Sequence, residues 1–341
     1  MKSSRIFSTR KKGNPAVKIA ILILLAAASA AASLCMGAVR LPVSTVIKML
    51  AGGMDGSTEA NIVILARLPR TLGCLLAGMA LAVSGAVIQN VLANPLAAPN
   101  IIGVNSGAGV MVALVSALLP ASTALTPIAA FVGALGAVLL VLLIAEKNGA
   151  SRITLVLAGV AVSTMFGAII DAVITFFPDA LIGYSDFRIG GFSHVSMNRV
   201  VSAMWMILPG VLVLISMANE MDVLALGTDV AQSLGMNAKR IRLILLALAA
   251  ALAGAAVSFA GLLGFVGLIV PQMMRRLVGE DSLSLLLACV FGGASMVTIC
   301  DLLSRMIFAP YEIPVGILLS LIGGPFFIWL LLRQRGVRSH D

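Results

Sequence analysis

The side chains able to do chemistry in this chain are few, and they gather at identifiable places. Arg67 and Arg70 stand three apart in RLPR, and Arg305 closes a long apolar run. On a helix that spacing puts Arg67 and Arg70 on one face. Such a pair either snorkels at a membrane interface or offers bidentate partners to carboxylates, and spacing alone favours the first. Asp171 and Asp301 are the acids inside apolar runs, and intramembrane carboxylates are functional suspects by default. Both fall toward the outer ends of their runs, where water is expected to reach them, so neither reads as the deep acid of a proton-coupled carrier.

Catalysis finds little support. The two His, His194 and His340, leave no room for a His-Glu-x-x-His metal site. VNSG and AVSG set Ser beside Gly, faintly as in an intramembrane serine protease, but His194 is then the sole base and is expected in an outer loop. No G-x-x-x-x-G-K-[ST] occurs, so this chain does not hold ATP through a P-loop. The four Cys (Cys35, Cys74, Cys289, Cys300) lie in apolar runs without paired spacing and read as small buried hydrophobes.

Two polar stretches interrupt the apolar ones. QNVLANPLAAPNIIGVNSGAG, Gln89 to Gly109, places Pro95 and Pro99 where one helix ends and the next begins, with Asn94 and Asn100 expected to meet freed backbone groups. Irregular backbone at membrane depth is tolerated only where it is buried in protein or lines water. NEMDVLALGTDVAQSLGMNAKRIR, 219–242, interleaves Leu224, Leu226, Val230, Leu234 and Met236 with polar residues, and Gly227 and Gly235 interrupt it. It reads as two short amphipathic helices outside the bilayer, serving as a partner surface or lying on the membrane.

The elements that position these residues follow from composition. Of 341 residues, 60% are hydrophobic and 11% charged, against roughly a quarter charged in soluble domains. Apolar runs of roughly 20 residues match a bilayer core. The chain is therefore expected to be an all-α polytopic membrane protein, and the short alternating segments of an outer-membrane barrel are absent. About ten crossings are expected, at 17–37, 63–89, 100–119, 125–145, 153–176, 198–218, 241–260, 262–278, 282–305 and 313–333. The 262–278 window carries three Gly and a Pro. The N-terminus, KSSRIFSTRKKGNPAVK before IAILILLAAASAAASLC, resembles a signal peptide, yet the 17–37 run is long enough to cross uncleaved. Most of the 23 Lys and Arg fall on the side holding both termini, which places the termini in the cytoplasm. The net charge of +9 is thus topological and not a nucleic-acid signal. Ala77, Ala82, Val83, Ser84 and Ala86 recur as Ala251, Ala256, Val257, Ser258 and Ala260, a weak echo that would make spans 2–5 and 7–10 an inverted repeat. Chance similarity of Ala-rich helices competes with it, as AGVAVS at 158–163 illustrates.

With these residues on the page, the chain resembles the FecCD-type permeases, membrane subunits of ABC importers for iron-siderophores, haem and cobalamin. The resemblance rests on RLPRTLGCLLAGMALAVSGAVIQNVLANPLAAPNIIGVNSGAG, on LGTDVAQSLGMNAKRIRLILLALAAALAGAAVSFAGLLGFVGLIVPQMMRRLVGED and on DLLSRMIFAPYEIPVGILLSLIGGPFFIWLLLR, from about residue 40 onward.

The resemblance implies the following. Residues 17–335 form one ten-helix permease domain between cytoplasmic tails 1–16 and 336–341, including coupling helices in 219–240. Arg67, Arg70 and Arg305 would pair with acids of an extracytoplasmic binding protein. Asp222, Leu224, Leu226, Gly227, Asp229, Gln232, Leu234 and Gly235 would seat in a groove of each of two cytoplasmic ATPases. Asn148, Gly149 and Ser151, in AEKNGASR, would belong to the cytoplasmic gate, and Asn94, Pro95, Asn100 and Asn105 would border the translocation path. The family works as a dimer of permeases, usually of two like subunits, in a bacterial or archaeal cytoplasmic membrane. No cofactor or metal is expected on this chain, and ATP and Mg would sit on the ATPase. One departure is DFRIGGFSH, where Phe187 and Arg188 stand in place of the family's frequent Trp; Arg188 is expected to alter substrate or partner preference. A secondary transporter driven by an ion gradient is the rival reading, and an intramembrane enzyme the third.

Overall fold

The computed structural model describes residues 14–37, 41–52, 57–122, 124–147, 151–307, 309 and 311–338. Among them regular structure is entirely helical. The helices are α1 (Pro15–Cys35), α2 (Val43–Gly52), α3 (Thr58–Asn61), α4 (Leu68–Leu92), α5 (Val104–Leu118), α6 (Leu125–Lys147), α7 (Arg152–Phe176) and α8 (Ala180–Ile189). They continue as α9 (Met197–Ser216), α10 (Ala218–Ala225), α11 (Thr228–Ser233), α12 (Ala238–Ala260), α13 (Val266–Val278), α14 (Ser282–Met306) and α15 (Val315–Arg338).

Every expected crossing contains a helix, and seven helical stretches are long and apolar enough to cross alone. Three helix starts differ most from expectation. The second crossing extends over Thr58–Leu92, because a π-helical segment, Ile62–Arg67, joins α3 to α4. Its wider turns end just before Pro69, which has no N–H to give to a regular helical bond. The third crossing starts at Val104, after a 3₁₀ turn over Pro99–Ile102. The eighth starts at Val266, since Gly261 (φ +71) and Phe265 (φ +66) break the chain between α12 and α13. α2 and α8 were not expected; at ten residues each, they vanish in a span-length hydropathy average.

Packing is close because small residues face one another. α4 is the central helix and touches α12, α13 and α14. A Cβ on Gly78 would lie 2.2 Å from the Gly293 carbonyl oxygen, and one on Gly107 2.2 Å from that of Gly133. Lipid tails are as apolar as Leu, so helix association in a bilayer depends on such contact rather than on apolar burial. α1, α7 and α9 are peripheral and turn Leu, Ile and Val outward.

The helix contacts have the pairing that the expected repeat requires. α4 packs on α14, and α12 packs on α6. Exchanging α4 with α12 and α6 with α14 therefore preserves the pairing. The echoed serines do not share a role, however. Ser84 Oγ donates across helices to the Ala249 carbonyl at 2.7 Å, while Ser258 bonds back to Ala255 in its own helix.

α14 begins with a side-chain cap that its sequence encodes. Asp281 accepts the Ser284 amide at 2.9 Å, and the same contacts with Ser284 hold its carboxyl below the ordinary value. A lowered carboxyl value means the stabilisation is present above the unfolded value of 3.8 and is lost as pH falls through the folded one. Asp281→Ala is expected to cost about 1 kcal/mol at neutral pH. Thermal unfolding of the detergent-solubilised protein measures this, and the gap between variant and parent should close in acid.

Candidate functional site

At one end of the bundle two arginines share one acid, and a third lines the same cavity. Asp301, on α14, has no exposed surface. Arg70, one turn into α4, grips it with two nitrogens, Nε at 3.0 Å and Nη2 at 3.0 Å. Arg305, four residues further along α14, reaches the same carboxylate at 3.1 Å. Its Nη2 also donates to Ser33 Oγ of α1 at 2.7 Å. Arg67 donates to the Leu34 carbonyl at 2.8 Å, and Arg70 to Glu312 at 2.7 Å. Arg67 and Arg305 retain 6% and 5% exposure.

Two expectations change here. Asp301 is not reached by water; it is sealed between helices and neutralised, while Asp171 is exposed on α7. Nor do the arginines snorkel as single interfacial side chains. Arg70 and Arg305 form one network with Asp301 and Glu312, and Arg67, Arg70, Arg305 and Glu312 line a cavity of about 350 Å³. This end of the bundle therefore presents a cavity lined by arginines. Beyond Ser193 and Val195, which line both, lies a cavity of about 480 Å³ between α6, α8, α9 and α12. Arg188 is exposed on α8 nearby, and Phe187 is buried with its carbonyl taken by the Leu262 amide at 2.9 Å.

At the other end the 93–98 break is held by residues that sequence reasoning passed over. Ala93 ends α4 in the left-handed region, φ +45. Asn94 Oδ1 accepts the Leu96 amide at 2.9 Å, as expected of a side chain meeting a freed donor. Asn100 is exposed and contributes its carbonyl, which accepts the Gly103 amide. Pro95 is exposed but its carbonyl accepts Gln272 Nε2 of α13 at 2.8 Å. The same Nε2 donates to Gln89 Oε1 at 3.1 Å, and Gln89 Nε2 donates to the Gly267 and Leu268 carbonyls at 3.3 Å. Gln89 and Gln272 are buried. A long amide inside an otherwise apolar helix is the signal that would have found them, since such groups bond across helices in lipid.

The 219–242 stretch folds as two short helices, α10 and α11, separated at Gly227 (φ +111) and ended at Gly235 (φ +80). Both glycines adopt backbone geometry that other residues rarely tolerate. The expected partner residues divide into two groups. Leu226 and Leu234, each 66% exposed, point outward with Asp229, Val230 and Gln232. Leu224 and Asp222 point inward: Leu224 is buried in the core and Asp222 Oδ1 accepts the Ser282 amide at 3.1 Å. A period of 3.6 forces this, because residues on a two-turn helix cannot all face one partner.

Of the remaining gate candidates, Asn148 and Gly149 lie outside the described residues. Ser151 caps α7 by accepting the Thr154 amide at 3.0 Å. Asn105 sits half-buried in the first turn of α5. Near this loop Lys239 and Glu146 pair at 3.2 Å across the ends of α12 and α6. Among the described residues no three His, Cys, Asp or Glu come together as a metal would require.

The class of protein follows from the bundle as a whole. A solved structure of an inward-facing metal-chelate type ABC transporter matches 94% of this chain and 100% of its own, with a TM-score of 0.84 and 28% identity. Residues 22–333 match the FecCD transport family, and the chain belongs to it. Relatives include the hemin transport system permease HmuU of Yersinia pestis, 36% identical over 95% of this chain and 98% of that one. The Fe(3+)-citrate import permease YfmE of Bacillus subtilis is also 36% identical, over 95% and 97%. The Fe(3+) dicitrate permease FecC of Escherichia coli is 34% identical, over 89% and 92%.

Proposed function

We propose that this chain is the transmembrane permease subunit of a binding-protein-dependent ABC importer, carrying an iron(III)-siderophore-type chelate inward by alternating access. The observation that carries the reading is the α10–α11 pair, which leaves Leu226, Val230 and Leu234 exposed at one end of an apolar bundle. An apolar patch backed by buried structure fits a groove on a soluble partner, here one of two cytoplasmic ATPases that bind ATP and Mg. That end is cytoplasmic by the distribution of Lys and Arg, so the arginine-lined cavity faces outward and receives acids of a binding protein. A second copy of the permease completes the path, against exposed apolar faces such as that of α7. The metal would travel inside its ligand.

Leu226→Asp with Leu234→Asp is expected to abolish copurification with the cognate ATPase while leaving the melting temperature of the permease close to that of the parent. Retention of the ATPase by that variant would sink the assignment. The similarity to hemin and ferric-citrate permeases leaves cargo to the partner. Measuring what the cognate binding protein holds decides between a siderophore, haem and cobalamin.

A further inference from the structure

Between the exposed helices and the 93–98 break run two sets of hydrogen bonds, joined through one face of α13. α10 lies against the ends of α4 and α14. Its Asp222 Oδ1 accepts the backbone amide of Ser282, the first residue of α14, at 3.1 Å. The Ser282 hydroxyl, fully buried, accepts from Asn90 Nδ2 of α4 at 3.2 Å. Asn90 Oδ1 accepts from the Arg275 guanidinium of α13. Three residues earlier on α13, and so on the same face, Gln272 bonds both Gln89 and the Pro95 carbonyl.

The rest of the contact is apolar and non-directional. Met221 and Leu224 are the buried side chains of α10 apart from Ala218, and such contacts permit sliding. Hydrogen bonds in a low-dielectric interior fix register and polarise one another. The line ends beside Ala93, which occupies the left-handed region, where a residue other than Gly is strained.

We propose that Asp222, Ser282 and Asn90 are positioning residues that carry displacement of the α10–α11 segment, through Arg275 and Gln272, into the 93–98 break. This rests on the importer reading above. The α13 helix thereby becomes a lever between partner contact and path, and Asp222 serves the inside of the bundle.

The test uses the complete transporter, permease with its ATPase and binding protein, in liposomes, and reads substrate moved per ATP hydrolysed. Asn90→Ala is expected to lower that ratio by about tenfold, a typical coupling between sites, with the ATPase rate within about twofold of the parent. Ser282→Ala removes the hydroxyl but keeps the amide, and should lose as much; it also serves if the Asn90 variant fails to accumulate. Asp222→Ala should fall likewise, and Asp222→Asn, which still offers an acceptor oxygen, should be rescued. The Asp222→Ala, Asn90→Ala pair should lose no more than the worse single variant, as expected for residues acting in one line. A parent-like ratio in both Asn90→Ala and Ser282→Ala, or losses that multiply in the double variant, would overturn the relay alone. A parent complex that moves no substrate with ATP would overturn the importer reading and the relay with it.

Discussion

Asp301→Ala is expected to destabilise the protein by about 3–5 kcal/mol, the cost of breaking a buried ion pair from one side. Asp301 has no exposed surface and is the carboxylate shared by Arg70, 12% exposed, and Arg305, 5% exposed. Removing it leaves two guanidiniums facing each other across α4 and α14 with only Glu312 nearby for one of them. Asp301→Asn keeps the shape and loses the charge, so it should sit between the variant and the parent. Glu312 provides the contrast: its side chain is 42% exposed, and Glu312→Gln is expected to cost no more than about 1 kcal/mol. Thermal melting in detergent, followed by size-exclusion recovery, ranks the three. Because buried charge is dear to hold, replacing Arg70, Asp301 and Arg305 together by Met, Leu and Met should recover much of the loss. An Asp301→Ala protein as stable as Glu312→Gln would show that the network carries no structural load.

Gly85→Ala is expected to be worse than its one methyl suggests. Its Cβ would lie 1.9 Å from the Gly267 carbonyl oxygen and 2.6 Å from Gly267 Cα. Both are backbone atoms, so no rotamer relieves the clash and α4 must move off α13. That motion also breaks the bonds from Gln89 to Gly267 and Leu268, one turn further along α4. Overpacking alone costs about 1–3 kcal/mol, and the lost bonds add to it. Gly136→Ala in α6 meets nothing within 4 Å and should leave the melting temperature unchanged or slightly raised. Comparable folded yields of the two variants would contradict the close approach of α4 and α13.

Much of the architecture was legible because a bilayer imposes length and apolarity on each crossing separately. Those are local properties, so windows such as 125–145 and 153–176 land on α6 and α7. Gly and Pro likewise marked the breaks at 93–98 and 261–265, although not their lengths. α2 and α8 escaped because ten-residue helices leave no span-length signal.

The candidate sites were legible only as residue types. The sequence by itself determined that this is a polytopic helical protein, which end carries the excess cations, and which stretches are too polar to cross. Tertiary structure alone decided what those residues touch. Asp301 is a sealed counter-ion rather than a wetted acid because α1, α4 and α14 close over it from points far apart in the chain. Asp222 and Leu224 turn inward while Leu226 and Leu234 turn outward because α10 is seated on the ends of α4 and α14. The RLPR pair shows the division most plainly: three-residue spacing put Arg67 and Arg70 on one face, but only the packed bundle supplied the carboxylate that Arg70 holds and the Leu34 carbonyl that Arg67 meets. Spacing along a helix is a local quantity, whereas charge compensation depends on helices brought together by the fold.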